Sequence, residues 1–145
     1  MPFRFPLASV LRFRESMEKQ EEVALQKAQL EVAGVRRRID ELTDALAKAG
    51  EERERAMRRA IPASRLQMMQ SELDAAEEAR QILAGTLETL RRQRDAQMKR
   101  YRTAHSSREM LSDLLTRQKS LYEQEQLRIQ QKRLDDIAAA RWQRN

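Results

Sequence analysis

From Thr86 to Asn145 the chain runs sixty residues without a glycine or a proline. A second stretch, Leu7 to Ala60, has no proline, and Pro62 is the last proline of the chain. Both stretches are rich in Ala, Leu, Glu, Arg, Gln and Lys, the residues that lose least on entering a helix. A β-sandwich or a doubly wound α/β domain needs turn residues throughout, and three Gly with three Pro cannot supply them. Aromatics make up only 4% of the chain, too few to fill a globular core, yet 40% of residues are hydrophobic and recur at helical spacing, which argues against disorder. The fold class that remains is all-α, built from long helices.

The break between the helices falls at Ile61-Pro62-Ala63-Ser64. Ser64 with Gln67 three residues on reads as a capping box. The expected organisation is one hairpin over 1–145: helix one at about 7–60, a turn at about 61–63 and helix two at about 64–142. Gly34 and Gly50 fall inside helix one, at roughly 1 kcal/mol each relative to Ala; the seam continues past both, so the helix is expected to be continuous. That seam is a heptad repeat. Val35, Ile39, Leu42, Leu46, Ala49, Ala56 or Met57, and Ala60 alternate steps of four and three, with Arg53 the polar exception. Leu66, Met69, Leu73, Ala76, Leu83, Leu87 and Leu90 do the same in helix two, interrupted by Arg80. Such a pattern specifies a coiled coil. Upstream, Ala24, Ala28 and Val32 read as a stutter, and from Arg94 to Arg108 the seam weakens to Tyr101 and Ala104.

Charge sets the pairing. Folded back near residue 62, residue i faces about 124 minus i. Residues 15–33 carry five acids and two bases, and their partners 91–109 carry seven bases and two acids. Residues 34–60 hold eight bases and six acids, against two bases and five acids in 64–90. Opposite blocks meet along an antiparallel pair. The runs Arg36-Arg37-Arg38 and Arg91-Arg92-Gln93-Arg94 are therefore flanks of the coiled coil rather than a nucleic-acid stripe, although the net charge of +6 alone would permit an anionic partner.

Helix two is the longer, so residues 118–145 are expected to overhang. They keep an amphipathic pattern through Leu121, Leu127 or Ile129, Leu134, Ile137, Ala138 and Trp142. A stripe with no intramolecular partner implies a partner elsewhere. Phe3, Phe5 and Leu7 lie at the same end, either capping the base of the hairpin or docking a partner, and Arg4, Arg12, Arg14, Lys132, Arg133, Arg141 and Arg144 gather there too. Catalysis finds little support. The chain has no cysteine and one histidine, His105, so it offers no thiolate and no His pair. Carboxylate pairs such as Glu51-Glu52 sit on exposed helix, and there is no Gly-rich phosphate loop. No run of 18 apolar residues is present, and Met1 to Val10 is too short and polar for a secretory signal, so the expected location is cytoplasmic.

Phe3-Arg4-Phe5-Pro6-Leu7, Val10-Leu11, Arg14-Glu15, Glu22-Val23-Ala24-Leu25 and Ala28 together resemble the opening of the bacterial flagellar export protein family FliJ. Gln131-Lys132-Arg133-Leu134-Asp135-Asp136-Ile137-Ala138 resembles that family's closing segment, and the break before Ser64 falls where the family turns. The resemblance implies an antiparallel two-helix coiled coil similar to the γ stalk of rotary ATPases. It implies a non-enzymatic component of the type III export apparatus, without cofactor. The implied partners are the hexameric export ATPase, the export gate protein and substrate chaperones, with peripheral association at the cytoplasmic face of the inner membrane through the gate. The ATPase-facing candidates are Phe3, Phe5, Leu7, Arg14, Lys132, Arg133, Leu134, Ile137 and Trp142. The family's gate spacing, Phe-x3-Leu-x2-Ala-x3-His, falls on Glu72, Ala76, Ala79 and Leu83, where Ala79 alone has the family's residue; with the apolar stripe, the gate candidates are Leu73, Ala76, Ala79 and Leu83. An injectisome stalk is the sister reading, and a basic coiled coil on nucleic acid or anionic membrane is the alternative from charge.

Overall fold

The computed structural model describes residues 2–144. Two helices account for almost all of them: α1, Ala8–Arg58, and α2, Ala63–Arg144. Their bounds lie one or two residues from the expected 7–60 and 64–142, within the normal fraying of helix ends. No helix is long and apolar enough to cross a membrane among the described residues. The two helices pack against each other, all-α with the longer helix second, and the contacts divide into two compact units.

The unit of residues 21–101 contains the turn. The Pro62 carbonyl accepts from the amides of Arg65 at 3.1 Å and Leu66 at 3.3 Å, so Pro62 is the capping residue of α2. Ser64 lies inside the first turn, and the expected capping box is not what opens the helix. A proline suits this place, since its missing N–H would have had no helical acceptor there. Beyond the turn, every position at alternating steps of three and four is buried or half-buried: Leu25, Ala28, Val32, Val35, Ile39, Leu42, Leu46, Ala49, Arg53 and Ala56 on α1. Leu25 and Val32 are among the most buried residues of the chain. The expected stutter is absent, because Leu25 and not the exposed Ala24 occupies the seam, giving a step of three then four. Ala56 likewise takes the place left open between it and Met57. Both interior glycines stay helical, with open space where a Cβ would stand.

On α2 the matching row runs Leu66, Met69, Leu73, Ala76, Arg80, Leu83, Leu87, Leu90, Arg94, Gln97 and Tyr101. The seam therefore does not lapse after Arg94; it turns polar. Gln97 Nε2 donates to the Glu21 carbonyl at 3.2 Å and to the Glu21 carboxylate. Facing residues here obey a register of about 120 minus i rather than 124, because α1 ends two residues earlier and α2 begins one residue earlier than expected, moving the centre of the turn toward the N-terminus.

The other unit comprises residues up to Gln20 and from Arg102 onward. Ala8, Leu11 and Glu18 meet a row of Ala104, Arg108, Leu111, Leu115, Gln118 and Tyr122. Leu11 is buried. The segment before α1 is non-helical, as Pro2 and Pro6 require, and the Phe5 carbonyl accepts from the Ala8 amide at 3.2 Å. This segment lays the Phe3 ring against Tyr122, centroids 5.4 Å apart and tilted by 45°. Gln118 and Tyr122 are therefore half-buried while Leu121 stays exposed, and α2 becomes wholly exposed only from residue 130 rather than from 118. The chain leaves 11939 Å² accessible, against about 7,800 Å² for a compact protein of its mass. In each unit the core is a thin seam in which leucine is the commonest residue.

Candidate partner-docking site

The site belongs to the second of these units, and two local structures frame it. The first is an ionic layer. Glu18 on α1 accepts from Arg108 Nε at 2.5 Å, and its other oxygen is 3.4 Å from His105 Nδ1. His105 Nε2 lies 3.5 Å from Glu109, and Arg108 reaches Ser112 Oγ at 3.4 Å. Only 18% of the Glu18 side chain is accessible. The Arg108 hydrogen bond holds the Glu18 carboxyl below its ordinary value, more strongly than burial raises it, with His105 adding to the lowering. The Arg108 guanidinium is held higher in turn, chiefly by its bond to Glu18.

A pH dependence follows. Because the folded value of Glu18 is depressed, its contribution is fully present above the unfolded value and is lost as pH falls through the folded one. Wild type should therefore lose melting temperature faster than Glu18→Gln as pH falls from about 5 through the folded value of the carboxyl, with the two converging at the acid end. Parallel melting curves across that range, followed by circular dichroism, would contradict the assignment.

The second structure is the end of α2. Every residue from 131 to 144 is exposed. Leu127, Leu134, Ile137 and Trp142 are 66%, 61%, 52% and 84% accessible. Lys132, Arg133, Arg141 and Arg144 stand beside them, exposed and without an ion-pair partner among the described residues. Extended past Tyr122, the seam positions would be Glu125, Ile129, Lys132 and Asp136, three of them polar. The apolar residues occupy another face: Leu134 lies roughly 140° around the helix from Ile129 at 100° per residue. The stripe is thus rotated off the line that α1 covers, and a partner must approach it from a different side.

The expected site residues divide. Lys132, Arg133, Leu134, Ile137 and Trp142 share this uncovered stretch. Phe3 and Phe5 are half-buried, with Phe3 engaged on Tyr122, so capping the base accounts for much of their surface. Leu7 is marginally exposed, and Arg14 is exposed, its guanidinium 5.9 Å from the Phe13 ring centre. In the other unit, Leu73 and Ala76 line a groove of about 160 Å³ with Leu46 and Ala49 of α1. Leu83 is a half-buried seam residue, and Ala79 alone of these four is exposed. Sequence reasoning missed Tyr122 and the Glu18–Arg108 layer, although the opposed charge blocks of 15–33 and 91–109 signalled the latter.

A heptad-paired helical hairpin with an uncovered apolar and basic helix end defines a class of docking proteins that act through their surfaces. The chain belongs to the flagellar FliJ family: the family model described as "Flagellar FliJ protein" matches residues 3–145. Comparison with curated proteins gave no match, nor did comparison with solved structures. Membership makes the chain a component of the flagellar export apparatus.

Proposed function

We propose that this chain binds the flagellar export ATPase as a stalk, using the end of α2. The observation that carries the reading is the uncovered stripe from Leu127 to Trp142, with Lys132, Arg133, Arg141 and Arg144 exposed beside it and without an ion-pair partner among the described residues. Large apolar side chains stay 52% to 84% exposed while every seam position up to Tyr122 is covered by α1 or the N-terminal segment. A ring with an acidic, partly apolar channel complements such an end in charge and hydrophobicity. Leu7 and Arg14, exposed on the N-terminal part of the chain, are proposed as further contacts. The proposal extends to the export gate, the substrate chaperones and a cytoplasmic location at the inner membrane face. Gate contact through Leu73, Ala76, Ala79 and Leu83 would require α1 to yield the seam that three of these residues occupy, leaving Ala79 as the accessible point.

The test is capture of the cognate ATPase by the full chain and by a chain ending at residue 127. The shortened chain should melt near the wild-type temperature, since it retains the whole paired seam, but should capture little ATPase. Charge reversal at Arg58 and Arg59 should leave capture intact. Normal capture by the shortened chain, with loss in the reversal variant, would move the ATPase contact to the turn.

A further inference from the structure

The turn carries chemistry that the stalk reading does not use. Arg53, Arg55, Arg58, Arg59 and Arg65 fall within thirteen residues, with Glu54 the one acid among them, and no lysine occurs from 49 to 98. Arg55 is shared with Glu51 at 3.8 Å, while Arg58, Arg59 and Arg65 are exposed and have no ion-pair partner among the described residues. Arg55, Arg59 and Arg65, with the single carboxylate of Glu52, rim one concavity of about 340 Å³ whose floor is Ala56, Ile61 and Met69. Met57 and Met68 stand out beside it, 57% and 65% accessible. These residues sit on the last turn of α1 and the first turns of α2, so a flat surface can reach them together at the helix ends.

We propose that the turn docks on an anionic phospholipid surface, the arginines taking phosphodiester groups and Met57 and Met68 entering the headgroup region. Guanidinium forks match phosphate oxygens in pairs, and the apolar floor between them suits an amphiphile better than a free anion. Nucleic acid fits less well. No aromatic residue occurs between Phe13 and Tyr101, so the turn has no platform on which bases could stack. Flexible, unbranched methionines adapt to an irregular lipid interface.

The experiment uses the full chain and co-sedimentation with vesicles, either pure phosphatidylcholine or carrying about 30% phosphatidylglycerol, at about 0.1 M salt. Wild type should bind the anionic vesicles and not the neutral ones. The triple variant Arg58→Gln, Arg59→Gln, Arg65→Gln should lose on the order of 100-fold in partitioning, at roughly fivefold per arginine. Removing equal charge elsewhere, through Arg36→Gln, Arg37→Gln and Arg38→Gln, should cost only a few-fold. Because the chain lacks cysteine, an environment-sensitive dye on Met57→Cys reports insertion directly; its emission should shift to the blue on anionic vesicles, and a dye at Arg36→Cys should not respond. Equal losses in the two triple variants, no binding by wild type, or no shift of the dye at 57 would overturn the proposal. Tighter retention of a DNA duplex than of vesicles, lost in the turn variant, would also overturn it and assign the turn to nucleic acid. The turn variant should capture the export ATPase like wild type, so failure here and failure of the stalk reading are read separately.

Discussion

Replacing Leu25 by aspartate should unfold much of the seam, while the same replacement one residue earlier, Ala24→Asp, should be nearly silent. Leu25 is 7% accessible and is one of three core residues at that level. A carboxylate there loses its hydration without gaining a partner, and the leucine's own burial is forfeited. A cost of about 3–5 kcal/mol is expected, a large share of the 5–15 kcal/mol that stabilises an ordinary domain. The melting temperature should fall by about 10 °C or more. Ala24 is exposed, so Ala24→Asp should shift it by no more than a degree or two. Thermal melts followed by circular dichroism decide the matter: equal losses at the two positions would restore the stutter and refute the continuous heptad.

The second large effect concerns binding. Leu134→Asp combined with Trp142→Ala should weaken capture of the export ATPase by about 100-fold or more, since each buried side chain of this size contributes roughly 1.5–3 kcal/mol. Both residues are exposed in the free chain, at 61% and 84%, so the variant should melt with wild type. That pairing of outcomes separates a docking role from a structural one. Melting that falls together with binding would show the stripe to be covered within the chain; unchanged binding would remove it from the ATPase interface.

Much of this architecture was legible in the residues, and the lapses have identifiable causes. Long runs without Gly or Pro, with leucines at steps of three and four, leave few alternatives to paired helices. The stutter arose because Ala24 and Ala28 look equivalent to Ala28 and Val32 by spacing; only side-chain size, Leu25 over Ala24, separates the two phases. The segment from Arg94 to Arg108 seemed to lose its seam because polarity was read as exposure, whereas Gln97 and Arg108 occupy seam positions by bonding Glu21 and Glu18. Ser64 and Gln67 match a capping box, but Pro62 sets the helix start one residue earlier, and the pattern carries no information on that choice. Phe3 meeting Tyr122 depends on a non-helical segment, for which periodicity has nothing to offer. The uncovered stripe was visible as a pattern, while its rotation off the seam required knowing where α1 ceases to cover α2.

The order of the seam along the chain has a kinetic consequence. In each unit, facing residues are mirror images about one short turn, so their separation in sequence grows steadily with distance from Pro62. Contacts such as Met69 with Ala49 close a small loop; Arg108 with Glu18 close one of ninety residues. Closing the large loop first would be slow, but adding one layer to an already formed pair orders only a few residues more. Assembly is thus expected to proceed as a zipper that starts at the turn and runs outward. The Phe3–Tyr122 contact is stitched last on that route and frays first, with the Glu18–Arg108 layer just inside it.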